Sequence, residues 1–464
     1  MIETIADTSI QHKLKALRNF YNSGATKKYE FRKQQLIKLK RSILDHEEEL
    51  YKCLHVDLKK NREEVWVTEI GFAIAEITHT LKHLKAWMQR TNVSTNLLNL
   101  PSSSFIMPEP LGVVLIIGPW NYPFQLLFTP LIGAIAAGNC VALKSSEFAP
   151  ATSSVMRKII EDVFREDYVL FVEGDGAAVI PQMMRTFTFD HVFFTGSTGT
   201  GKLIYKMAAE NLVPVTLELG GKSPCIIESD ANLKIAAKRI AMTKFSNAGQ
   251  MCVAPDYILV HSSVKDEFIK ALVSTLDKFF TQDAINNDEY GKVINAKQFD
   301  RLVKYLHEGN IVYGGKTDRS RLFIQPTILD NISVEDAVMN DEIFGPILPV
   351  LSFTTPEEAK AIIEKNANPL AFYVYTSSKK KENYWLENVS FGGGCVNNSS
   401  WHLTNYNLPF GGRGFSGTGK YHGKYSFETF SHYKAVMKTP TWFDPALRYP
   451  PLKGKLNLFK KIIR

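Results

Sequence analysis

At 464 residues the chain is too long for one ordinary domain and long enough to bury a large core. Its 45% hydrophobic and 22% charged residues are those of a soluble globular protein, and a net charge of +8 spread along the chain speaks against a nucleic-acid module. The five cysteines, Cys53, Cys140, Cys225, Cys252 and Cys395, form no C-x-x-C pair, so the sequence suggests neither a metal site nor a disulfide framework, and the odd count fits a reducing cytoplasm.

Residues 1–12 lack an apolar core of signal-peptide type, and no stretch is apolar for long enough to span a bilayer. Residues 31–54 carry Leu36, Leu39, Ile43, Leu50 and Leu54 at helical spacing and predict one amphipathic helix. Ile70, Ala73, Ile77, Leu81 and Leu84 predict a second helix over 65–88. Residues 92–108 are polar, serine-rich and closed by prolines, and read as an excursion from the domain.

From Leu111 the pattern becomes α/β. Val113-Val114-Leu115-Ile116-Ile117 has the composition of a strand buried on both faces. The turn Gly118-Pro119-Trp120-Asn121-Tyr122-Pro123 follows, then a helix over 131–138. The next strand, Cys140-Val141-Ala142-Leu143-Lys144, ends in the polar loop Lys144-Ser145-Ser146-Glu147 before a helix over 152–164. Residues 169–173 and 191–195 predict two more strands. In open parallel sheets ligands sit at the carboxyl ends of strands, where Asn121, Lys144, Glu147 and Gly196 fall.

Residues 196–202, Gly-Ser-Thr-Gly-Thr-Gly-Lys, predict a glycine-rich turn before a helix over 203–211. Strand, turn and helix in that order point amides at a phosphate. The spacing is not G-x-G-x-x-G, however, and many such turns bind nothing. A strand over 213–219 runs into Glu218-Leu219-Gly220-Gly221-Lys222. Such a glutamate is either a surface carboxylate at a turn or a general base held partly out of water, its pKa raised towards neutrality.

The stretch Asn247-Ala248-Gly249-Gln250-Met251-Cys252-Val253-Ala254-Pro255 lies between a helix over 232–246 and a strand over 257–260. Gly249 frees the backbone before the thiol and Pro255 stops the helix after it. Cys252 therefore sits on a short connection that can face a cleft. Most free cysteines are small buried apolar residues, which is the reading for the other four; a nucleophile needs the thiolate, activated by amides or a nearby base. A second α/β region extends to about Cys395, a glycine-loaded loop covers 407–419, and residues 427–431 return to β character.

Taken together, Pro119-Trp120-Asn121-Tyr122-Pro123, Leu217-Glu218-Leu219-Gly220-Gly221-Lys222, Gly249-Gln250-Met251-Cys252 and Glu342-Ile343-Phe344-Gly345-Pro346 resemble the NAD(P)-dependent aldehyde dehydrogenase superfamily. Leu408-Pro409-Phe410-Gly411-Gly412 and Tyr421-His422-Gly423-Lys424 look like its class 3 branch. The resemblance implies an α/β fold with a Rossmann-type cofactor domain (1–91 and 109–217), an α/β catalytic domain (218–403), a small β oligomerisation element (92–108 and 404–437) and a basic tail (438–464). It implies Cys252 as nucleophile, Asn121 with the Cys252 N–H as oxyanion donors, and Glu218 as the base for water. For the cofactor it implies Lys144 and Glu147 at the adenosine ribose, Gly196, Ser197, Gly199 and Gly201 beneath the pyrophosphate, and Glu342 and Phe344 at the nicotinamide. Trp120, Tyr122 and Met251 are expected to wall a substrate tunnel. NAD is the expected cofactor, with NADP also accepted, and class 3 relatives imply a homodimer. The expected substrate is a hydrophobic aldehyde, whether carotenoid, long-chain aliphatic or aromatic.

Two positions depart from the family pattern. Ser145 stands where proline is usual, which predicts a looser ribose-contact loop, and Met251 stands where relatives often have threonine. A CoA-acylating enzyme, a broad detoxifying one and an inactive scaffold are the alternatives; Glu218 speaks against the first, and the joint presence of Cys252, Asn121 and Glu218 against the last. Residues 453–464 are basic and would present Leu456, Phe459 and Ile463 on one helical face. That predicts either a solvated terminus or a peripheral contact with the inner face of a membrane.

Overall fold

The computed structural model describes residues 2–280 and 283–463; Met1 and Arg464, the outer ends of the expected cofactor domain and basic tail, lie outside them. Two large sheets organise the chain. The first has six strands, in the order Gly417–Thr418, Val215–Glu218, His191–Thr195, Val113–Ile117, Cys140–Lys144, Val169–Val172. All pair in parallel except Gly417–Thr418, which runs antiparallel to Val215–Glu218. Every residue of Val113–Ile117 and Cys140–Lys144 is buried, as expected of strands covered by helices on both faces. The chain starts at Val113–Ile117, builds outwards through Cys140–Lys144 and Val169–Val172, then returns to His191–Thr195 on the other side. That reversal opens a crevice between the ends of Val113–Ile117 and His191–Thr195, from which the loops bearing Asn121 and Gly196 emerge.

The second sheet has seven strands, in the order Asn310–Tyr313, Thr327–Asp330, Ile347–Phe353, Tyr257–His261, Pro224–Ile227, Ala371–Tyr375, Gly393–Val396. Only Asn310–Tyr313 is antiparallel to its neighbour in this sheet. A third sheet joins Thr91–Val93, Ser103–Pro110 and Ser431–Lys438, in register from Ser431 opposite Pro110 to Lys438 opposite Ser103.

Several local expectations change. Residues 31–54 are two helices, Tyr29–Asp45 and Glu47–Leu58, meeting at His46. Leu36, Leu39, Ile43, Leu50 and Leu54 are buried in both, so the periodicity passes through the break unmarked. The second predicted helix begins as Arg62–Val65, passes through a π-helical turn at Trp66–Ile70 and continues as Gly71–Trp87. The helix after Ser197 starts at Thr198, so Gly199 and Gly201 lie in its first turn and not in a preceding loop. Of residues 427–431 only Ser431 is in a strand: Lys424–Thr429 is a helix, and Phe427 and Phe430 are both buried at three-residue, helical spacing. The expected grouping of 404–437 with the oligomerisation element also changes, because Gly417–Thr418 belongs to the first sheet and the third sheet receives the chain only at Ser431.

Candidate active site

The loop before Cys252 is held in an uncommon conformation. Asn247, Ala248 and Gly249 have φ of 49°, 51° and 75°, and all three are buried. A side chain on Gly249 would meet the Gly345 carbonyl oxygen at 2.2 Å, so glycine is required there for space as well as for backbone shape. Gln250 locks the loop: its Nε2 donates to the Asn247 and Lys292 carbonyls, each at 2.9 Å, and its Oε1 accepts from the Ile294 N–H at 2.9 Å. The Val253 carbonyl accepts the Tyr373 hydroxyl at 2.6 Å. Cys252, half-buried, follows this frame at the wall of a cleft of about 730 Å³.

Asn121 enters from the opposite sheet. One N–H of its side-chain amide donates to the Gln250 carbonyl at 3.0 Å, and the residue lines the same cleft as Cys252. Glu218 ends its strand 2% exposed, and neither carboxylate oxygen has a hydrogen-bond partner among the described residues. Its backbone is fixed, since its carbonyl accepts the Gly196 N–H at 3.0 Å. Burial pushes the Glu218 carboxyl well above the usual range. Burial, then the carboxyls of Glu342 and Glu218, also push the Cys252 thiol up, while the N–H groups of Cys252 and Val253 pull it down. Glu342 is pushed up to about 8 by burial and then by Asp256, against Lys222, Lys244 and the Gly221 N–H.

Glu342 stands where a Gly220 Cβ would lie, 1.9 Å from its Oε2, so the glycine at that position makes room for the carboxylate. The segment bearing Glu342 is tied down by buried Lys222, whose Nζ donates to Asp256 at 2.6 Å and to the Val338 and Asp341 carbonyls. Asp256 accepts the Ile343 N–H at 3.1 Å, and Arg301 donates to the Ile343 carbonyl at 2.6 Å. The Phe344 ring meets Trp120 edge to face at 5.3 Å.

The cleft thus gathers Trp120, Asn121, Gly196, Ser197, Gly199, Glu218, Cys252, Glu342 and Phe344 on one lining. Lys144, Glu147, Gly201, Tyr122 and Met251 are not part of it. Gly201 has a packing reason: a Cβ there would lie 2.6 Å from Leu219, so it lets the helix press on the strand end. Tyr122 is buried with its ring 3.8 Å from the Lys60 Nζ. Lys144 and Glu147 approach each other at 3.4 Å at the end of the neighbouring strand, and Glu147 also accepts the Gly176 N–H at 3.3 Å. Ser145 does not loosen this loop. Its N–H donates to Val172 at 3.3 Å and its hydroxyl meets Ser153 at 2.7 Å, and a proline would keep neither bond. Sequence reasoning missed Thr195, Arg301 and the Lys222–Asp256 pair; Lys222 stood in the quoted motif, whereas the others carried no local signal.

The comparisons with known proteins identify the family. The profile of the aldehyde dehydrogenase family matches residues 3–436. The 4,4'-diaponeurosporen-aldehyde dehydrogenase of Staphylococcus aureus is 45% identical, over 98% of this chain and 99% of its own. The dimeric, NADP-preferring aldehyde dehydrogenase of Canis lupus familiaris is 39% identical, over 97% and 99%. Among solved structures, the substrate-bound state of Staphylococcus aureus AldH superposes with a TM-score of 0.95 at 44% identity, covering 98% of this chain and 99% of that one. An indole-3-acetaldehyde dehydrogenase in complex with NAD+ gives a TM-score of 0.85 at 27% identity, covering 94% and 89%. The chain belongs to the aldehyde dehydrogenase family. It is an NAD(P)-dependent oxidoreductase that converts aldehydes to acids.

The residues present fit a dinucleotide. The buried Thr195 Oγ1 lines the cleft without a partner among the described residues, and a Cβ on Gly199 would meet nothing within 4 Å among them. Ser197 caps the Thr198–Ala209 helix, whose first amides are suited to a phosphate. Among the described residues no helix is long and apolar enough to cross a membrane.

Proposed function

We propose that Cys252, Asn121 and Glu218 carry the reaction. Cys252 loses its proton and its sulfur bonds to the aldehyde carbon, giving a thiohemiacetal. The negative oxygen so formed accepts an Asn121 side-chain N–H and the Cys252 backbone N–H, each of which strengthens as charge develops. When bound, the nicotinamide dinucleotide supplies the hydride acceptor: the thiohemiacetal carbon would give up its hydrogen with the electron pair, leaving the acyl group on Cys252 as a thioester. Glu218 then takes a proton from water, whose oxygen attacks the thioester; the carbon–sulfur bond breaks, the acid leaves and the thiol is restored. The observation that carries this reading is the buried Glu218 carboxyl, which has no hydrogen-bond partner among the described residues and shares a cleft with the thiol.

Gly196, Ser197 and the start of the helix behind them would hold the pyrophosphate, Lys144 and Glu147 the adenosine ribose, and Glu342 and Phe344 the nicotinamide end. A carboxylate near the ribose disfavours a 2′-phosphate, so NAD is the preferred cofactor. The substrate is a hydrophobic aldehyde, with a diapocarotenoid aldehyde favoured by the name of the Staphylococcus aureus relative. The flexible, apolar Met251 beside the thiol supports that class. The enzyme acts in the cytoplasm as a homodimer, a reading supported by the dimeric relative. Its tail lies at an anionic membrane surface, supported by exposed Leu456, Leu458 and Ile463 beside Lys453, Lys455, Lys460 and Lys461. Cofactor reduction by the purified protein, with aliphatic, aromatic and apocarotenoid aldehydes beside Cys252→Ala, tests the proposal. Equal rates on all aldehydes would overturn the dedicated substrate, and no rate with either cofactor would overturn the assignment of roles. Liposome binding unchanged by deletion of 451–464 would remove the membrane contact.

A further inference from the structure

Behind Asn121, on the side away from the cleft, lies a buried ion pair that the reaction does not use. The side chains of Lys60 and Glu69 are both 0% exposed, with Lys60 Nζ 2.6 Å from Glu69 Oε1. Removing two charges from water is costly, and such a pair is weak evidence for stability on its own account. What matters is where its remaining bonds go. Lys60 Nζ also donates to the backbone carbonyl of Asn121 at 3.0 Å, and Glu69 Oε2 accepts the Gln125 N–H at 2.8 Å, the first residue of the Gln125–Ala137 helix. The pair therefore clamps both sides of the turn 121–125, whose first residue presents the oxyanion donor.

The same stretch of chain also grips the loop before the nucleophile. Glu64 Oε1 accepts the Asn247 N–H at 2.9 Å and the Ser246 hydroxyl at 3.0 Å. Asn247 Nδ2 closes the circuit by donating to the Asn121 carbonyl at 2.8 Å and to the Gln250 carbonyl at 3.2 Å. That Gln250 oxygen is the one that receives the Asn121 side chain. In a regular α-helix, residues five apart point about 140° away from one another. Here Glu64 precedes and Glu69 lies within the π-helical turn at Trp66–Ile70, and both side chains bond to the scaffold around Asn121 and Asn247.

We infer that Lys60 and Glu69 are positioning residues: by fixing the backbone of Asn121 and the start of the following helix, they hold the Asn121 side-chain amide aimed at the aldehyde oxygen. The inference rests on Asn121 being the oxyanion donor. The pair acts on the transition state through another residue, so its effect should fall on kcat and vanish when that residue is gone.

The experiment is a double-mutant cycle on the full-length enzyme, using Lys60→Met and Asn121→Ala with one good aldehyde and saturating cofactor. Lys60→Met alone is expected to lower kcat by about 10- to 100-fold with KM changed less than threefold, a loss below the ~10²–10³ of removing the donor outright. In the Asn121→Ala background the same substitution should change kcat less than threefold. The rate at which iodoacetamide alkylates Cys252 should be unaltered, because that reaction makes no oxyanion. An equal fold-loss of kcat in both backgrounds overturns the positioning role and leaves a purely structural pair. If Asn121→Ala itself costs less than tenfold, the oxyanion reading fails instead, so the two failures are separable. Glu69→Gln, which preserves volume, replaces Lys60→Met if the latter does not fold, with the same expected pattern; additive losses there overturn the inference.

Discussion

The two walls of the cleft are held in opposite ways. On the Cys252 wall, residues 247–250 are buried and their polar groups are largely spent on the protein, with the left-handed backbone of 247–249 held by the Asn247 and Gln250 side chains, which bond to backbone groups of their own loop and of distant segments. On the wall that carries Gly196, Gly199 faces open space, Thr195 Oγ1 has no partner among the described residues, and of the loop from Gly196 to Thr198 Ser197 is exposed and the other two half-buried. The difference matches the two tasks. A surface that binds and releases a cofactor keeps donors free for it, whereas groups that act on a transition state must be fixed before it forms.

The contrast can be broken in order of severity. Cys252→Ala should reduce aldehyde-dependent cofactor reduction to background. Glu218→Gln should lower the steady-state rate on the order of 10²–10⁴, the usual contribution of general-base work. A single-turnover burst should survive it, and intact mass should reveal the acylated Cys252. The pH profile tests the same carboxyl. Burial raises its pKa, so the carboxylate form that acts as base gains population as pH rises; the deacylation rate should climb with pH, and Glu218→Gln should flatten that limb. Gly249→Ala places a side chain at φ +75° against a carbonyl, and should cost about 1–3 kcal/mol of stability by denaturant midpoint, before any steric term is added. Across the cleft, Gly199→Ala meets open space within a helix and should change stability by less than about 1 kcal/mol, in the stabilising direction. Equal destabilisation by the two alanines would erase the distinction between the walls.

What was legible in the sequence follows from the same physics. Glu218 and Asn121 stand out because each is a polar side chain at or just past the end of an apolar strand, where an α/β sheet opens, and Cys252 because it sits on a short, glycine-preceded connection between a helix and a strand. The α/β alternation itself was plain from the buried strands. Lys60 and Glu69 were illegible, because a charged residue in an amphipathic stretch reads as solvated surface until a partner is known. Phe427 and Phe430 misled because aromatic residues suit strands, although their three-residue spacing pointed to a helix. The placement of Gly417–Thr418 beside Val215–Glu218 could not be read locally, since two residues carry no pattern and the partner lies far back in the chain.

That late pairing has a consequence for how the enzyme comes into being. Leu219, next to the proposed base, donates its N–H to the Ser416 carbonyl, and Phe415 and Ser416 line the cleft. A chain emerging from the ribosome at roughly 5–20 residues per second has exposed both large sheets before this closing segment arrives. The nascent protein therefore holds Cys252, the proposed nucleophile, within an unfinished pocket, and prematurely terminated products ending before residue 415 should lack a complete site.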